Sequence, residues 1–156
     1  MKITRVETDL LRVPLPRPVA LPAAQDPRTA TTADVVLVRV LTDGGPTGLG
    51  FAYTLGGGGA AVRSLIETVI ADVVVGHDPA ATEWLYLKGW AELEGLGFAG
   101  LAARAYAAVD FALWDWKGKA AGLGREIDDP FCCAKKHIPR RRPRARGADH
   151  CGRELP

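Results

Sequence analysis

The first 124 residues of this 156-residue chain contain no cysteine, and the whole chain has three cysteines and one methionine. An odd cysteine count cannot form a complete disulfide framework, which argues against a secreted disulfide-rich domain and favours a reducing, cytoplasmic location. No apolar run approaches the roughly 20 residues of a transmembrane helix. The charged start of the chain also lacks the apolar centre of a secretion signal. The sequence therefore predicts neither export nor a membrane partner.

The net charge of +2 is unevenly distributed along the chain. Residues 1–124 carry eleven Lys or Arg and thirteen Asp or Glu, whereas residues 125–156 carry nine and five. The overall composition, 47% hydrophobic and 24% charged, is close to that of soluble globular proteins. We therefore predict one folded domain over residues 1–124 and a disordered basic tail over residues 125–156.

β-branched residues dominate the first third of the chain. Residues 2–13 predict a first strand, and the proline-rich stretch of residues 14–32 predicts a long loop after it. Residues 33–41 and 47–54 predict two further strands, joined by a glycine-containing turn at residues 43–45. Together these segments predict a three-stranded antiparallel meander.

Helical periodicity follows the predicted strands. Apolar residues recur every three or four positions through residues 60–75, and Asp78-Pro79 is typical of the start of a second helix. A third helix is predicted over residues 98–121, with Gly122 ending it. The predicted buried side of the second helix consists of Trp84, Leu87 and Ala91. The four tryptophans are interpreted as packing residues: Trp84, Trp90, Trp114 and Trp116. Strands followed by helices predict an α+β fold.

Four segments of the chain form an ordered series. They are Lys2-Ile3-Thr4-x-Val6-Glu7, Asp43-Gly44-Gly45-x-x-Gly48-x-Gly50, Gly76-His77-Asp78-Pro79, and Asp110-x-Ala112-Leu113-Trp114-Asp115-x-x-Gly118-Lys119. In this order they resemble the N-terminal capping domain of the mandelate racemase and muconate lactonizing enzymes, a family of the enolase superfamily. The resemblance covers residues 2–124 and implies an enolase N-terminal domain-like fold, a three-stranded meander followed by a small helical bundle.

The chemistry of that family lies outside the segment that resembles it. Its racemases, cycloisomerases and acid-sugar dehydratases abstract a proton next to a carboxylate with a Lys or His base, and Mg²⁺ stabilises the enediolate. The base and the metal ligands belong to a barrel of about 250 residues, whereas 32 residues follow Gly124. The resemblance therefore implies no catalytic residue, metal ligand or cofactor in this chain, with Mg²⁺ confined to full-length relatives. The abrupt change in composition after Gly124 predicts a truncated or frame-shifted product.

The resemblance also implies a role for two loops. In such enzymes the capping domain closes over the barrel, and two of its loops line the pocket for a small carboxylate or acid sugar. By position, these loops correspond to residues 14–32 and 51–59. The implied pocket residues are Pro16, Arg17, Pro18, Phe51, Tyr53, Thr54 and Gly56. Relatives are commonly oligomeric, so a homo-oligomer is compatible with the resemblance. The alternative is a non-enzymatic interaction module that uses the surface normally covered by the barrel.

Three further patterns each have a functional and an ordinary interpretation. The run of four glycines at residues 56–59 could bind an anion at a helix start, line a mobile pocket loop or simply connect two elements, and the pocket loop agrees best with the resemblance. Zinc would accept Cys and His ligands from residues 132–151, but adjacent cysteines lack the usual spacing, which favours chance composition. The basic run of residues 135–146 lacks interleaved aromatic residues, so we predict no specific nucleic-acid partner.

Overall fold

The computed structural model describes residues 1–21, 28–97 and 99–123. Three antiparallel strands form one sheet in the order β1 (Ile3–Leu21), β2 (Arg28–Thr42) and β3 (Gly48–Leu55). The helical elements are α1 (Gly59–Leu65), a π-helical segment (Ile66–Ile70), α2 (Ala71–Val74), α3 (Thr82–Leu93), a 3₁₀ turn (Glu94–Leu96) and α4 (Leu101–Ala120). The predicted α+β fold is therefore confirmed. The predicted tail, with its cysteines and its basic run, lies outside the described residues.

The predicted long loop over residues 14–32 is wrong at both of its ends. β1 continues through the prolines to Leu21, and β2 already begins at Arg28. The two strands lose their register between Pro14 and Val19, where β1 carries extra residues opposite β2. Proline cannot donate a ladder hydrogen bond, but an edge strand with a bulge tolerates it. β1 is the edge of this sheet, which is why prolines did not end it.

One face of the sheet packs against the helices and forms the core. Alternate residues of β2 are buried on this face: Asp34, Val36, Val38 and Val40. The three valines pack with buried residues of the helices, among them Val62, Ile66, Ile70, Leu85, Val109 and Leu113. This alternation is what a sheet with one covered face requires.

The opposite face of the sheet carries no helix within the described residues. Its apolar part, here named the open sheet face, consists of Leu11, Val13, Val35, Leu37, Leu49, Phe51 and Tyr53. Phe51 is about half exposed (48%), and the centre of its ring lies 6.3 Å from the centre of the Phe111 ring. Towards the start of β1 the face becomes charged, because Arg39 forms ion pairs with Glu7 and Asp9. The described residues therefore leave a sizeable apolar surface uncovered.

Helix α4 approaches β3 more closely than side chains would ordinarily permit. A methyl group on Gly50 would overlap the Ala108 carbonyl and lie 2.7 Å from the Ala112 nitrogen. A methyl group on Gly48 would overlap the same helix. The outer edge of β3 is also bonded to α4, since the Leu49 N–H donates to Asp115 at 2.7 Å. Gly48 and Gly50 of the predicted hairpin motif are thus explained by this helix contact.

The helices lie near their predicted positions, but α3 begins at Thr82, so the predicted start at Asp78-Pro79 is wrong, and not every buried face follows the prediction. Residues 59–74 form one continuous helical run, with an unpredicted π-helical segment inside it. In α3 the predicted buried side is wrong: Trp84 and Leu87 are exposed, and Ala91 is exposed as well. The residues that are buried there are Thr82, Leu85, Gly89 and Leu93. Gly89 faces the ring of Tyr106 from α4 so closely that no side chain fits between them.

The tryptophans divide into two groups. Trp116 is buried against the sheet, as predicted for a packing residue. The other three are about half exposed, which differs from the prediction: Trp84, Trp90 and Trp114. In α4, Asp115 and Lys119 form an ion pair at 2.6 Å, and Gly122 follows the helix with a positive φ of 74°, as predicted for the residue that ends it. Within the described parts of the chain, no helix is both long enough and apolar enough to cross a bilayer.

Candidate functional site

The two predicted pocket segments meet at one end of the sheet. Pro14 of β1 lies opposite Thr32 of β2, and the Thr32 carbonyl accepts a hydrogen bond of 3.0 Å from the Gly56 N–H. Gly56 also lies against Leu21 and Ala30, because a methyl group on it would come within 3.5 Å of both side chains. The part of the β1–β2 hairpin beyond the Pro14–Thr32 pair and the glycine connection after β3 therefore lie together at one end of the sheet. This region is here named the loop end.

A buried carboxylate holds the loop end together. The side chain of Asp34 is only 2% exposed, and its two oxygens accept hydrogen bonds from Arg12 Nε at 2.8 Å and Arg12 Nη2 at 3.3 Å. The backbone N–H of Gly59, at the start of α1, donates to the same carboxylate at 3.2 Å. One side chain of β2 thus binds β1 and the first residue of α1. Buried charge requires such pairing and hydrogen bonding to be tolerated.

The electrostatics of the Asp34 carboxylate follow from these contacts. The hydrogen bond from Arg12 lowers the pKa of Asp34 below its ordinary value, and the Gly59 N–H lowers it further, while burial opposes both effects. The same pairing raises the pKa of the Arg12 guanidinium. Asp34 therefore remains a carboxylate and Arg12 a cation at neutral pH. Most of the Arg12 side chain is exposed (68%), so a fixed positive group faces solvent beside the loop end.

Glycine is required in the connection between β3 and α1. Gly56, Gly57 and Gly58 all have positive φ angles, of 73°, 125° and 95°, which side-chain-bearing residues adopt at a cost. Gly59 has no room for a side chain, because a methyl group would lie 2.5 Å from Asp34 Cβ and 2.7 Å from Leu10 Cδ1. The run of four glycines is therefore a tight connection fitted around Asp34.

The predicted pocket residues lie on β1, on β3 and in the connection. Pro16, Arg17 and Pro18 are exposed and lie just beyond the position where Pro14 pairs with Thr32. Gly56 lies at the loop end itself. The predicted loop over residues 51–59 is wrong in extent, because β3 continues to Leu55 and α1 begins at Gly59.

The three predicted residues of β3 do not share one side of the sheet. Tyr53 and Phe51 project from the open sheet face, whereas Thr54 projects towards the helices, because strand side chains alternate. Arg104 of α4 donates to the Tyr53 carbonyl at 2.5 Å and lies 5.9 Å from the centre of its ring. The hydroxyl of Thr54 is buried and bonds to no described residue, and it lies beside Gly58.

Sequence reasoning missed the two residues that organise the loop end. Arg12 and Asp34 lie 22 positions apart in two predicted strands, and nothing in either strand pattern pairs them. Asp34 is a charged residue on the same strand face as the buried Val36, Val38 and Val40. A charge in such a position needs a partner, and this was the available signal.

The described residues do not supply a metal site. Among residues 1–21, 28–97 and 99–123, no three His, Cys, Asp or Glu side chains come together in a way that could hold a metal ion. The loop end offers one carboxylate, already bonded to Arg12 and Gly59, together with hydroxyls and backbone groups. This set does not fit Mg²⁺, which prefers carboxylate and water oxygens in octahedral geometry. What the loop end can do chemically is contact and orient a bound molecule.

Comparison with known proteins identifies the fold and its family. Residues 7–124 match the family model described as mandelate racemase / muconate lactonizing enzyme, N-terminal domain. The chain is 37% identical over 118 residues to the 3,6-anhydro-alpha-L-galactonate cycloisomerase of Streptomyces coelicolor, covering 74% of this chain and 31% of that enzyme. It is 32% identical over 126 residues to the L-talarate/galactarate dehydratase of Salmonella typhimurium, covering 78% of this chain and 31% of that enzyme.

Solved structures agree with the sequence relatives. A racemase from Streptomyces coelicolor with bound magnesium matches with a TM-score of 0.66 and 37% identity, over 74% of this chain and 32% of that one. The Salmonella typhimurium L-talarate/galactarate dehydratase, liganded with Mg and L-lyxarohydroxamate, matches with a TM-score of 0.67 and 30% identity, over 78% of this chain and 31% of that one. The chain thus spans about a third of the length of these relatives. It belongs to the mandelate racemase and muconate lactonizing enzyme family, whose N-terminal domain it contains.

Proposed function

We propose that this chain acts as a capping domain whose loop end forms one wall of an acid-sugar pocket, and that it has no catalytic activity alone. The observation that carries the proposal is the convergence of the two predicted pocket segments at one edge, joined by the Gly56–Thr32 hydrogen bond and by Asp34. A pocket wall needs a fixed shape, and the hydrogen bonds of the buried Asp34 carboxylate fix the shape of the loop end.

The groups that the loop end presents suit a polyhydroxylated anion. Arg12 and Arg17 present exposed guanidinium groups that can bind a carboxylate or hydroxyls. Relatives named for galactarate, galactonate and mannonate support an acid sugar as the substrate class. In a complete enzyme, a barrel domain would hold Mg²⁺ and supply the proton-abstracting base.

A direct assay tests the absence of activity. The purified full chain is incubated with Mg²⁺ and a panel of acid sugars, and dehydration or isomerisation is followed by chromatography. We expect no turnover, because the described residues offer no metal site. Turnover that depends on Mg²⁺ would overturn this part of the proposal.

A fusion protein tests the role of the loop end. Residues 1–123 replace the matching region of the Streptomyces coelicolor cycloisomerase, and kcat and KM are measured for the fusion and its variants. We expect Arg17→Ala to raise KM several-fold more than it lowers kcat, because an anchoring contact to substrate is lost. Arg63→Ala serves as the matched control, since Arg63 pairs with Glu67 on helical elements. Equal effects of the two substitutions in a folded, active fusion would contradict the proposed wall.

The open sheet face supports the second candidate function, a protein-interaction module. Five large apolar residues are at least 40% exposed on this face: Leu11, Val13, Leu49, Phe51 and Tyr53. Apolar surfaces of this kind commonly mark interaction sites. Light scattering on the purified chain distinguishes the candidates, because a module that works alone should stay monodisperse until its partner is added.

A further inference from the structure

A groove on the outer side of the helices has no part in the proposed capping function. It is lined by Thr82, Glu83, Tyr86 and Leu87 of α3 and by Asp110 and Trp114 of α4, and this set is named the α3–α4 groove. Its volume is about 310 Å³. That volume is near the lower limit of small-ligand pockets, about 300 to 1,000 Å³, so it suits a single side chain.

The groove has aromatic walls that are fixed in place. Tyr86 packs edge-on against the buried Tyr106 with ring centres 5.9 Å apart. Tyr106 in turn fits against Gly89, where the two helices come closest. Trp114 is half exposed (50%), and Leu87 is 67% exposed. The helix contact beside Gly89 thus leaves two aromatic rings and a leucine facing solvent.

Two carboxylates accompany these apolar walls. Asp110 is half-buried between the helices, and burial raises the pKa of its carboxyl above the ordinary value. No Lys, Arg or His in the described parts of the chain forms an ion pair with Asp110 or with Glu83. The neighbouring Lys117 lies 4.8 Å from the centre of the Trp114 ring and contacts the Thr82 hydroxyl at 3.4 Å. The groove therefore carries more negative than positive charge.

We propose that the α3–α4 groove binds an arginine side chain presented by a partner polypeptide. A guanidinium is flat and weakly hydrated, so it can stack on Tyr86 or Trp114 while it donates two parallel hydrogen bonds to Asp110. The negative charge of the groove favours a cationic side chain. The apolar walls favour a side chain with an apolar stem, in a polypeptide segment whose neighbouring residues are also apolar. Lys117 already forms one cation–aromatic contact with the Trp114 ring, so an arginine that stacks on Trp114 would share this ring with Lys117.

A pair of probes that differ only in charge tests the proposal. N-acetyl-arginine methylamide and its neutral isostere N-acetyl-citrulline methylamide are titrated into the ¹⁵N-labelled full chain, and the indole signal of Trp114 is followed by NMR. The signal is assigned from its loss in Trp114→Phe. We expect the arginine probe to shift this signal saturably, with an affinity at least tenfold higher than that of the citrulline probe. Equal affinities would overturn the proposal.

Variants that each remove one negative charge test whether the preference for arginine arises in the groove. Asp110→Asn should reduce the preference for arginine at least fivefold, and Glu83→Gln should reduce it less, because Glu83 is more exposed. Glu83→Gln changes only a surface residue, so it remains informative even if Asp110→Asn unfolds. Glu94→Gln is the matched control, since Glu94 is an exposed carboxylate outside the groove. An unchanged preference in both groove variants would refute the site. Concentration-dependent shifts confined to residues of the groove, without probe, would assign the groove to a second copy of the chain instead.

Discussion

At the scale of single residues, Asp34 has the greatest influence on the proposed site. Its carboxylate joins β1, β2 and the start of α1 through Arg12 and Gly59. Charged hydrogen bonds of this kind are stronger than neutral ones. A buried carboxylate also penalises any rearrangement that would leave it unpaired. The loop end therefore depends on this residue as well as on the glycines around it.

Asp34→Asn should loosen the start of α1 without unfolding the sheet. The amide of asparagine keeps the size of the side chain but cannot form an ion pair with Arg12. We expect faster hydrogen exchange of the Gly59 and Gly56 amides relative to the amides of β2, measured by NMR. Asp72→Asn, at an exposed aspartate of α2, is the control and should leave both amides unchanged. Uniformly faster exchange across the whole chain would instead indicate a general loss of stability.

The pKa of Asp34 also predicts how stability depends on pH. A carboxyl whose pKa is lower in the folded chain stabilises the fold above its unfolded-state pKa of about 3.9, and the contribution is lost as pH falls through the folded pKa. Asp34→Asn should therefore show a weaker loss of stability on acidification below about pH 4. Urea unfolding between about pH 2 and about pH 7 measures this. Parallel pH curves for the two proteins would contradict it.

Asp110 should behave in the opposite direction. Burial raises the pKa of its carboxyl, so the folded chain binds a proton more tightly than the unfolded chain does. Stability is then lost as pH rises from the unfolded-state pKa of about 3.9 through the folded pKa. Asp110→Asn removes this penalty, and we expect its urea midpoint at neutral pH to equal or exceed that of the unmodified chain. A clearly lower midpoint would show that the Asp110 carboxylate stabilises the fold.

At the scale of elements, the contact of α4 with β3 is the tightest in the described chain. Gly50→Ala should cost about 3 kcal/mol or more, because its methyl group meets helix backbone, which cannot move aside as a side chain would. Gly95→Ala is the matched control, since open space surrounds that glycine and the cost should be near zero. Urea midpoints of both variants measure the difference. Similar midpoints would mean that α4 can shift away from β3.

The same elements show what sequence patterns can and cannot predict. The period of the helices and the alternation of β2 and β3 were predictable, because both follow from burying one face. The buried side of α3 was not, since it depends on the ring of Tyr106 fitting against Gly89, a contact between distant residues. The length of β1 was missed because proline usually ends a strand, and the sequence did not reveal that β1 is an edge.

At the scale of the whole molecule, family membership was predictable, whereas the shared edge of the pocket segments was not. Four short segments in order sufficed for the family, and the match over residues 7–124 confirms it. The loop end forms through the pairing of Arg12 with Asp34 and of Gly56 with Thr32. Such pairings depend on strand register, which the bulge after Pro14 shifts by an amount that composition does not encode.

The open sheet face should make the isolated chain self-associate. Apolar area of this extent is costly to leave in water, and β1 and β3 both present it. We expect the mass measured by light scattering to rise with concentration, and a Leu11→Lys/Phe51→Lys double variant to remain monomeric. Leu96→Lys, at an exposed leucine on the 3₁₀ turn, is the control. A concentration-independent monomer would remove this face as a self-association site.

The prolines of β1 have a consequence for how this sheet could grow. Pro14, Pro16 and Pro18 recur every second residue, so their missing amide hydrogens all fall on the same side of the strand. A strand from another molecule that paired along the proline-containing half of β1 would find no backbone N–H donors at these prolines. It would also meet a hairpin that the bulge has already weakened. Amyloid-like stacking is thereby discouraged where the chain is most extended.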